Sequence, residues 1–395
     1  MSRSESPRAV EPAIAPWGPP RAAYVHVPFC RHRCGYCDFT LIAGRDDLID
    51  RYLDALALEI ERELPGPVEV DTLFFGGGTP SHLSPDQLAR LFGIVGSRIS
   101  LVPEGECSIE ANPLDLDNER LAALVQAGVN RVSIGVQSFQ PGELRLLERD
   151  HTGIEARDAV RRVRRAIPNV GVDLIFGTPG QSLADWSASL EACLALEPAH
   201  VSTYGLTFEK GTSFWSRRER GALRQSPEDL EREMYELAME QLPAAGVPQY
   251  EISNFARPGF ECRHNETYWD ARSCWAFGPG AASYLGGVRR QNHRSTTTWI
   301  ARTLTREVAP PALVEELSPE DRAREAAMLG LRRTRGIDSA AFERRFGAAP
   351  RSLAGAAFER LVSAGWLEES SGWLRLTREG RCVADTVLME FLSPL

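Results

Sequence analysis

Short apolar runs alternate with stretches of helical periodicity from Ala22 to Phe208. This alternation predicts an α/β fold in which a parallel sheet is covered by helices. Six strand-and-helix units can be counted, which is too few for a full eight-fold barrel. The strands are predicted at approximately Ala23 to Val27, Asp71 to Phe75, Glu106 to Ala111, Arg131 to Val136, Val170 to Phe176 and His200 to Leu206.

The first predicted helix shows how the pattern works. Its apolar residues recur at three- and four-residue steps, and the turn Leu64-Pro65-Gly66 ends the run. The apolar positions are Leu48, Ile49, Tyr52, Leu53, Leu56 and Ile60. We therefore expect one face of this helix to pack on the sheet.

The pattern changes beyond Phe208. Ser226-Pro227-Glu228 has the form of an N-cap, a first-turn proline and an acidic first turn, and predicts a helix running to about Leu242. From about Leu317 onward, helical segments are followed by a turn at Ser370-Ser371-Gly372, a strand from Trp373 and a last helix. Helices followed by a hairpin predict a carboxy-terminal α+β domain of winged-helix type.

Composition narrows the class of protein. The chain has 395 residues, of which 43% are hydrophobic and 25% charged, so it can bury a full core. The net charge of -9 provides no global basic field, and we expect no nucleic-acid partner. No apolar run approaches the ~20 residues of a membrane span, and the N-terminus has no signal-peptide core. The first residues are rich in Pro, Ser and Ala, and we predict a disordered tail over residues 1–21.

Three of the eight cysteines stand close together. Cys30, Cys34 and Cys37 are separated by three and then two residues, and no fourth cysteine follows closely. This spacing can place three thiolates on three corners of one cubic iron-sulfur cluster, leaving one iron open. A zinc site and an inert group of thiols are the alternatives. The other cysteines are scattered singly, unlike a disulfide framework, which favours a reducing compartment and the cytoplasm.

Unusual residues stand where the predicted strands end. The second strand is followed by Gly76-Gly77-Gly78-Thr79-Pro80. Such glycines either let a ligand approach the backbone closely or form a tight turn. Glu110 and Gln137 close the third and fourth strands, and Asp173 interrupts the apolar fifth strand. A carboxylate there is costly without a partner. It either faces a ligand or pairs with a neighbouring strand or with Arg149.

The motif CxxxCxxC before the glycine run resembles that of the radical S-adenosylmethionine (SAM) superfamily. From about Tyr24 the chain resembles the oxygen-independent coproporphyrinogen oxidase family. The resemblance implies a partial (β/α)6 barrel with a [4Fe-4S] cluster on Cys30, Cys34 and Cys37, and with SAM on the open iron. It also implies the remaining residues of the SAM pocket. The methionine amino group is expected to meet Gly77, Gly78 and Thr79, and the ribose and carboxylate of SAM are expected to lie along Glu110, Gln137, Arg149 and Asp173. The cluster and the adenine are expected near Tyr24 and Tyr36.

A second string narrows the resemblance to the haem-chaperone branch of that family. His264-Asn265-Glu266-Thr267-Tyr268-Trp269 has the form HNxxYW. His264 could ligate haem iron while Tyr268 and Trp269 stack on the porphyrin. The alternative is that Asn265 caps a turn and the two rings anchor the segment on the barrel. Many relatives carry histidine where Ala282 stands, so this chain lacks one candidate haem ligand.

The cysteine motif also departs from the catalytic branch. That branch continues to a further cysteine at C-x-C spacing, whereas this chain continues with Asp38-Phe39. The departure argues against coproporphyrinogen oxidation.

Three functions follow as hypotheses. The first is a haem chaperone that passes haem to an acceptor protein, with a reductant such as flavodoxin or ferredoxin. The second is an enzyme in which the reduced cluster cleaves SAM to methionine and a 5′-deoxyadenosyl radical that oxidises coproporphyrinogen III or a related porphyrin. The third is a regulatory module that uses the winged-helix-like tail.

The predicted domain organisation has four parts. The tail at 1–21 is followed by the barrel at 22–210, a barrel extension at 211–310 that carries HNxxYW, and the carboxy-terminal domain at 311–395. By resemblance, we expect the last domain to cover the mouth of the barrel.

Overall fold

The computed structural model describes residues 15–305 and 310–392. Within them, the main sheet has eight strands, all parallel to their neighbours except the last. In spatial order they are β10 (Trp275–Phe277), β1 (Ala22–Val27), β4 (Val68–Gly77), β5 (Ile99–Ala111), β6 (Arg131–Gln137), β7 (Asn169–Phe176), β8 (His200–Gly205) and β9 (Asn254–Ala256).

The α/β partial barrel predicted from the sequence is confirmed. The six predicted strands are β1 and β4 to β8, and they pair in chain order. The two edges of the sheet were not predicted. β10 lies parallel to β1, and β9 lies antiparallel to β8. Each is three residues long, too short to show an alternating pattern.

Helices cover the sheet on the side away from the barrel interior. In the first helix, α1 (Ile49–Glu63), Tyr52, Leu53 and Leu56 are fully buried, as the spacing predicted. Ser84, Thr152 and Ser182 each form a capping box that fixes where a helix begins. The helices are α1 (Ile49–Glu63), α2 (Pro85–Gly96), α3 (Asn118–Gln126), α4 (Pro141–Leu146), α5 (Gly153–Ala166) and α6 (Leu183–Leu194). Three short 3-10 turns lie at Asp46–Leu48, Pro80–His82 and Pro113–Asp115.

The barrel extension supplies the remaining elements around the sheet. Its helices are α7 (Ser213–Glu219), α8 (Glu228–Ala244), α9 (Arg263–Trp269) and α10 (Thr296–Thr305). A second sheet comprises β11 (Ala282–Leu285), β12 (Val288–Gln291) and β13 (Leu313–Glu316). β13 lies beyond the predicted boundary at residue 310 and joins this sheet by pairing with β12. The cysteine loop adds the small pair β2 (Phe29–Cys30) and β3 (Ile42–Ala43).

The start of α8 differs from the prediction. Pro227 occupies the N-cap position and makes no side-chain capping bond. The hydroxyl of Ser226 instead donates to the carbonyl oxygens of Gly177 at 3.0 Å and Thr178 at 3.1 Å. Ser226 therefore ties the chain before α8 to the turn after β7 rather than capping the helix.

The carboxy-terminal α+β domain is also confirmed, with its own buried core. Its three-stranded sheet comprises β14 (Ile337–Asp338), β15 (Leu367–Ser370) and β16 (Trp373–Leu376). Its helices are α11 (Pro319–Leu331), α12 (Ser339–Phe346), α13 (Pro350–Leu353), α14 (Ala357–Ser363), α15 (Arg378–Cys382) and α16 (Ala384–Leu392).

This domain packs against α9 and the turn after it. The Arg332 guanidinium lies 4.7 Å from the ring centroid of Trp269, and Arg333 pairs with Asp270. α9 lies at the amino-terminal end of the parallel strands, because His264 contacts Thr72, the residue that pairs with Ala22 at the start of β1. The expectation that this domain covers the barrel mouth is wrong: among the described residues, none beyond Glu209 lines the cavity at the opposite end.

Most of the predicted tail falls outside the described residues, which begin at Ala15. Trp17 is in contact with the rest of the molecule: its carbonyl accepts a 3.0 Å hydrogen bond from Ser273, and the Arg322 guanidinium lies 4.7 Å from its ring. The four domain boundaries stay predictions. Over the part of the chain that the structure covers, no helix combines the length and apolar character needed to cross a bilayer.

Candidate functional site

A cavity of about 360 Å³ opens at the carboxyl ends of the barrel strands. Most of the residues singled out from the sequence line it together, although they are far apart in the chain. They are Cys30, Cys34, Tyr36, Cys37, Gly77, Gly78, Thr79, Glu110, Gln137, Arg149 and Asp173. Tyr24 and His264 do not line it.

The cysteine loop places its three thiols along one wall of this cavity. Cys30 is buried at the end of β2, and its Sγ lies 3.2 Å from Oγ1 of Thr79. The amide of Cys37 donates to the carbonyl of Cys34 at 3.1 Å, which closes a tight turn. Gly35 is required between them, since a Cβ there would lie 2.7 Å from the Phe214 ring.

Burial of the cysteine loop favours neutral thiols. Burial raises the pKa of Cys30 to about 12, and the neighbouring Cys37 and Cys34 act in the same direction. Burial also raises the pKa of Cys37. Ligation by a metal would therefore release protons, as expected for thiolate ligands that form only when the metal binds.

The donor set fits a cubic cluster. All eight cysteines are free, and among the described residues only these three line the cavity. No group of three or more His, Cys, Asp or Glu side chains in the described part is gathered closely enough for a single metal ion. A four-iron cluster takes its ligands at separate corners, so three spaced thiols on the wall of an open cavity suit it.

Arg149 brings a positive charge to the thiols. Its Nη1 lies 3.6 Å from the Sγ of Cys34, and its Nη2 donates to the carbonyl of Gly135 at 2.8 Å. Its Nε is buried and has no hydrogen-bond partner. This guanidinium can balance the charge of thiolates or receive a ligand carboxylate.

The glycine loop is pressed against β1. Gly77 has φ of +111°, and a Cβ there would lie 2.3 Å from the His26 ring. A Cβ at Gly78 would lie 2.8 Å from the carbonyl oxygen of Phe29. Packing within the protein therefore already requires these glycines, and their contact with a methionine amino group stays a prediction.

Glu110 is bonded to the same loop. Its Oε2 accepts a 2.9 Å hydrogen bond from the amide of Gly77. Burial raises the pKa of Glu110 to about 7, while that hydrogen bond opposes the rise. The carboxyl group therefore changes its charge near neutral pH, beside the thiols.

Gln137 and Asp173 face the cavity from adjacent strands. Gln137 has φ of +68°, and the pairing of β6 with β7 shifts register between Gly135 and Gln137. Such irregularities redirect a side chain at the end of a strand. Asp173 accepts from the hydroxyl of Ser133 at 3.0 Å and 3.2 Å. No ion pair of Asp173 is found in the described part of the chain, and burial raises its pKa.

Several lining residues were missed in the sequence, among them Ser133, Glu148 and Tyr204. Tyr204 is 43% exposed at the cavity. Ser133 precedes Gly135 by two positions along β6, so strand alternation places both on one face. That period was the signal that could have identified Ser133.

Tyr24 and His264 lie deeper, at the floor of the barrel. The Tyr24 hydroxyl is hydrogen-bonded to Nδ1 of His26 at 3.0 Å, and the Tyr24 ring lies 6.4 Å from that of His264. His264 is 1% exposed, with Nδ1 bonded to Thr72 at 2.9 Å and Nε2 bonded to Tyr268 at 2.9 Å. Burial lowers the pKa of His264 to about 3. Iron ligation by His264 would require one of these bonds to break, and stays a prediction.

Glu106 anchors the start of α9 on the barrel. Glu106 accepts hydrogen bonds from the amides of Arg263 at 3.0 Å and His264 at 3.2 Å. Its carboxylate thus satisfies the first turn of the helix. Cys262 is the N-cap residue, without a side-chain capping bond, so Asn265 is not the cap that the alternative reading proposed. Tyr268 is hydrogen-bonded to His264 and Trp269 lies against Arg332 of the carboxy-terminal domain, so anchoring of the segment on the barrel by its two rings stays a prediction.

Comparison with known proteins places the chain in a family. The radical SAM superfamily matches residues 24–193, and the HemN C-terminal domain matches residues 317–383. A Bacillus subtilis (strain 168) protein named heme chaperone HemW is 35% identical over 379 residues, covering 95% of this chain and 100% of that protein. The chain belongs to the HemW family of radical SAM proteins.

Another HemW relative, from Mycobacterium tuberculosis (strain H37Rv), is 39% identical over 392 residues, covering 97% of each chain. Among solved structures, coproporphyrinogen III oxidase (HemN) from Escherichia coli superposes with a TM-score of 0.84 at 24% identity, covering 97% of this chain and 92% of that one. This HemW-family chain therefore has the same fold as that radical SAM enzyme.

Proposed function

We propose that this HemW-family chain is a haem chaperone. It holds a [4Fe-4S] cluster on Cys30, Cys34 and Cys37 with SAM in the cavity beside it, binds haem and delivers haem to an acceptor protein. The observation that supports the cluster and SAM sites is the meeting of three thiols with Glu110 and Asp173 in one cavity. Family membership over the whole length supports the chaperone function, because the relatives bear that name.

The protein's own residues have distinct tasks around the cofactors. When bound, the cluster supplies an electron and SAM supplies a sulfonium that can be cleaved. Arg149 balances the negative charge of the thiolates near Cys34. The hydroxyl of Thr79 lies beside Cys30, where it can donate to the thiolate. Glu110 and Asp173 present carboxyl oxygens at which hydroxyl groups of a bound nucleoside can be held.

The same proposal includes the compartment in which the chain acts and the proteins with which it interacts. We place it in the cytoplasm, since all eight cysteines are free and a reducing compartment keeps them so. A small reductant protein of flavodoxin or ferredoxin type supplies the electron, and a haem-acceptor protein receives the cargo. Nucleic acid has no part in this proposal, in keeping with the net charge of -9.

The cluster is tested by anaerobic reconstitution. Iron and acid-labile sulfide should approach four of each per chain in the wild type. The variant with Cys30→Ala, Cys34→Ala and Cys37→Ala should lose both. Cys382→Ala is the control, because this half-exposed cysteine lies in the carboxy-terminal domain. Full iron and sulfide in the triple variant would contradict the assignment.

The chaperone function is tested by haem titration of the reconstituted protein. The Soret band should saturate near one haem per chain, and haem should then pass to an added apoprotein acceptor. Coproporphyrinogen III with SAM and a reductant is assayed in parallel, and no protoporphyrinogen should form. A decarboxylated product, or no haem binding at all, would contradict the chaperone and favour the radical enzyme.

A further inference from the structure

A small exposed surface lies where the cysteine loop leaves the thiols. It comprises Arg33, Phe39 and Arg294, and is called the loop-exit surface here. Phe39 is 59% exposed although it is a large apolar residue, and it stands two positions after Cys37. Both arginines are exposed as well.

The two arginines bind the loop through neutral groups. Arg33 donates from Nε at 3.4 Å and from Nη2 at 3.3 Å to the carbonyl of Cys37. Arg294 donates to the carbonyl of Asp38 at 3.1 Å and to Oγ1 of Thr40 at 3.1 Å. Within the described residues, neither forms an ion pair with a carboxylate.

The loop-exit surface is therefore basic on an acidic molecule. The chain carries a net charge of -9, whereas this surface exposes two arginines that no carboxylate pairs with among the described residues. The neighbouring Arg31 is exposed and pairs with Asp115, while the carboxylate of Asp38 is the acidic group within the surface. Two uncompensated guanidinium groups outnumber that single carboxylate.

The charge of the loop-exit surface and its side-chain types together indicate which partner binds there. The net charge of -9 repels an acidic protein overall, so a basic surface beside the thiols would orient its approach. An exposed aromatic side chain between arginines matches the composition of interface centres. Because Arg33 is bonded to the backbone of Cys37, a protein docked there lies next to the thiols.

We propose that the loop-exit surface docks an acidic one-electron carrier protein of ferredoxin type. The inference rests on the proposed function, since the electron is delivered to the cluster. The carrier is oxidised by one electron and the cluster is reduced by one electron, and no atom is transferred. Haem is the rival occupant, because its propionates could also meet these arginines.

The first test needs no variant. The reconstituted protein is mixed with a reduced acidic [2Fe-2S] ferredoxin, and reduction of the cluster is followed by stopped-flow absorbance at increasing salt. Opposite charges at the docking site predict a rate that falls as ionic strength rises. A rate that rises with salt, or does not change, would overturn the inference, because the net charges of the two proteins repel.

The second test uses paired variants. Arg33→Gln with Arg294→Gln should lower the rate at low salt by about 10-fold and flatten its salt dependence. Arg161→Gln is the control, since Arg161 is 57% exposed on α5 and remote from the thiols, and it should change the rate less than twofold. Phe39→Ser should slow docking without altering the salt dependence.

Two readouts separate the possible failures. Reduction by dithionite and the iron content should be the same in every variant, which shows that the loop still holds its cluster. A wild type without a cluster would defeat the proposed function. A double variant that keeps its cluster and its ferredoxin rate, but loses haem binding, would overturn only this inference and assign the surface to haem.

Discussion

The backbone amide of Gly77 donates a hydrogen bond of 2.9 Å to Oε2 of Glu110. The two residues end neighbouring parallel strands, so the bond ties the glycine loop to the next strand beside the thiols. Burial leaves Glu110 with a pKa of about 7. The cavity therefore contains a carboxyl group whose charge depends on pH in the physiological range.

SAM binding should depend on pH through Glu110. Its carboxylate accepts hydrogen bonds from a ligand better than the neutral acid does. The affinity of the reconstituted protein for SAM should therefore rise as pH increases through about 7, the pKa of Glu110. Equilibrium dialysis under anaerobic conditions measures it. In Glu110→Gln the affinity should be lower and the same between pH 6 and pH 8, values that bracket that pKa. A variant with the wild-type pH profile would contradict the role of Glu110.

Arg149 should set the reduction potential of the cluster. Its guanidinium lies 3.6 Å from the Sγ of Cys34, and a positive charge there favours the reduced, more negative cluster. Arg149→Gln should lower the potential by tens of millivolts, measured by a redox titration monitored by electron paramagnetic resonance. Arg149→Lys keeps the charge and should lie between the two. An unchanged potential in Arg149→Gln, with full iron content, would exclude this influence.

Glu59 should make stability depend on pH. This carboxyl group of α1 accepts from the amide of Gly278 at 2.7 Å and from Asn292 at 2.6 Å. Burial raises the pKa of Glu59 from 4.5 to about 7, so the folded state binds more protons between these values. The free energy of unfolding should therefore fall as pH rises through that window, by at most about 3 kcal/mol from this group.

The free energy of unfolding is measured with urea at pH 5 and pH 8. These two pH values span most of the range between 4.5 and the Glu59 pKa of about 7. Glu59→Gln should lose less stability over this range than the wild type does. Glu61→Gln, an exposed change on the same helix, should keep the wild-type dependence. Equal dependence on pH in Glu59→Gln and the wild type would show that Glu59 does not bind the extra proton.

His264 should contribute more to the stability of the folded protein than to haem binding. Removing its ring leaves the hydroxyls of Thr72 and Tyr268 without their partner at the barrel floor. His264→Ala should lower the free energy of unfolding by about 2 to 4 kcal/mol and leave the Soret band of the haem complex unchanged. His293→Ala, at a partly exposed histidine, is the control. Loss of the Soret band at unchanged stability would instead support iron ligation by His264.

Much of this protein is determined locally by its sequence. The six central strands and α1 follow from side-chain periodicity, which acts over a few residues. The spacing of Cys30, Cys34 and Cys37 limits how far apart their thiols can lie, and all three line one cavity. Parallel strands bring their carboxyl ends to one edge, so Glu110 and Gln137 could be expected near them.

Only the tertiary structure decided that Tyr24 and His264 lie at the floor of the barrel and not in the cavity. His264 is hydrogen-bonded to Thr72, 192 positions away in the chain, and no local pattern encodes such a partner. The edge strands β9 and β10 likewise exist because a neighbouring strand offers them hydrogen bonds, not because of their own alternation. Periodicity and covalent spacing are properties of short segments. Burial depth and hydrogen-bond partners depend on how distant segments pack, and these determine which polar residues reach the cavity and which close the floor.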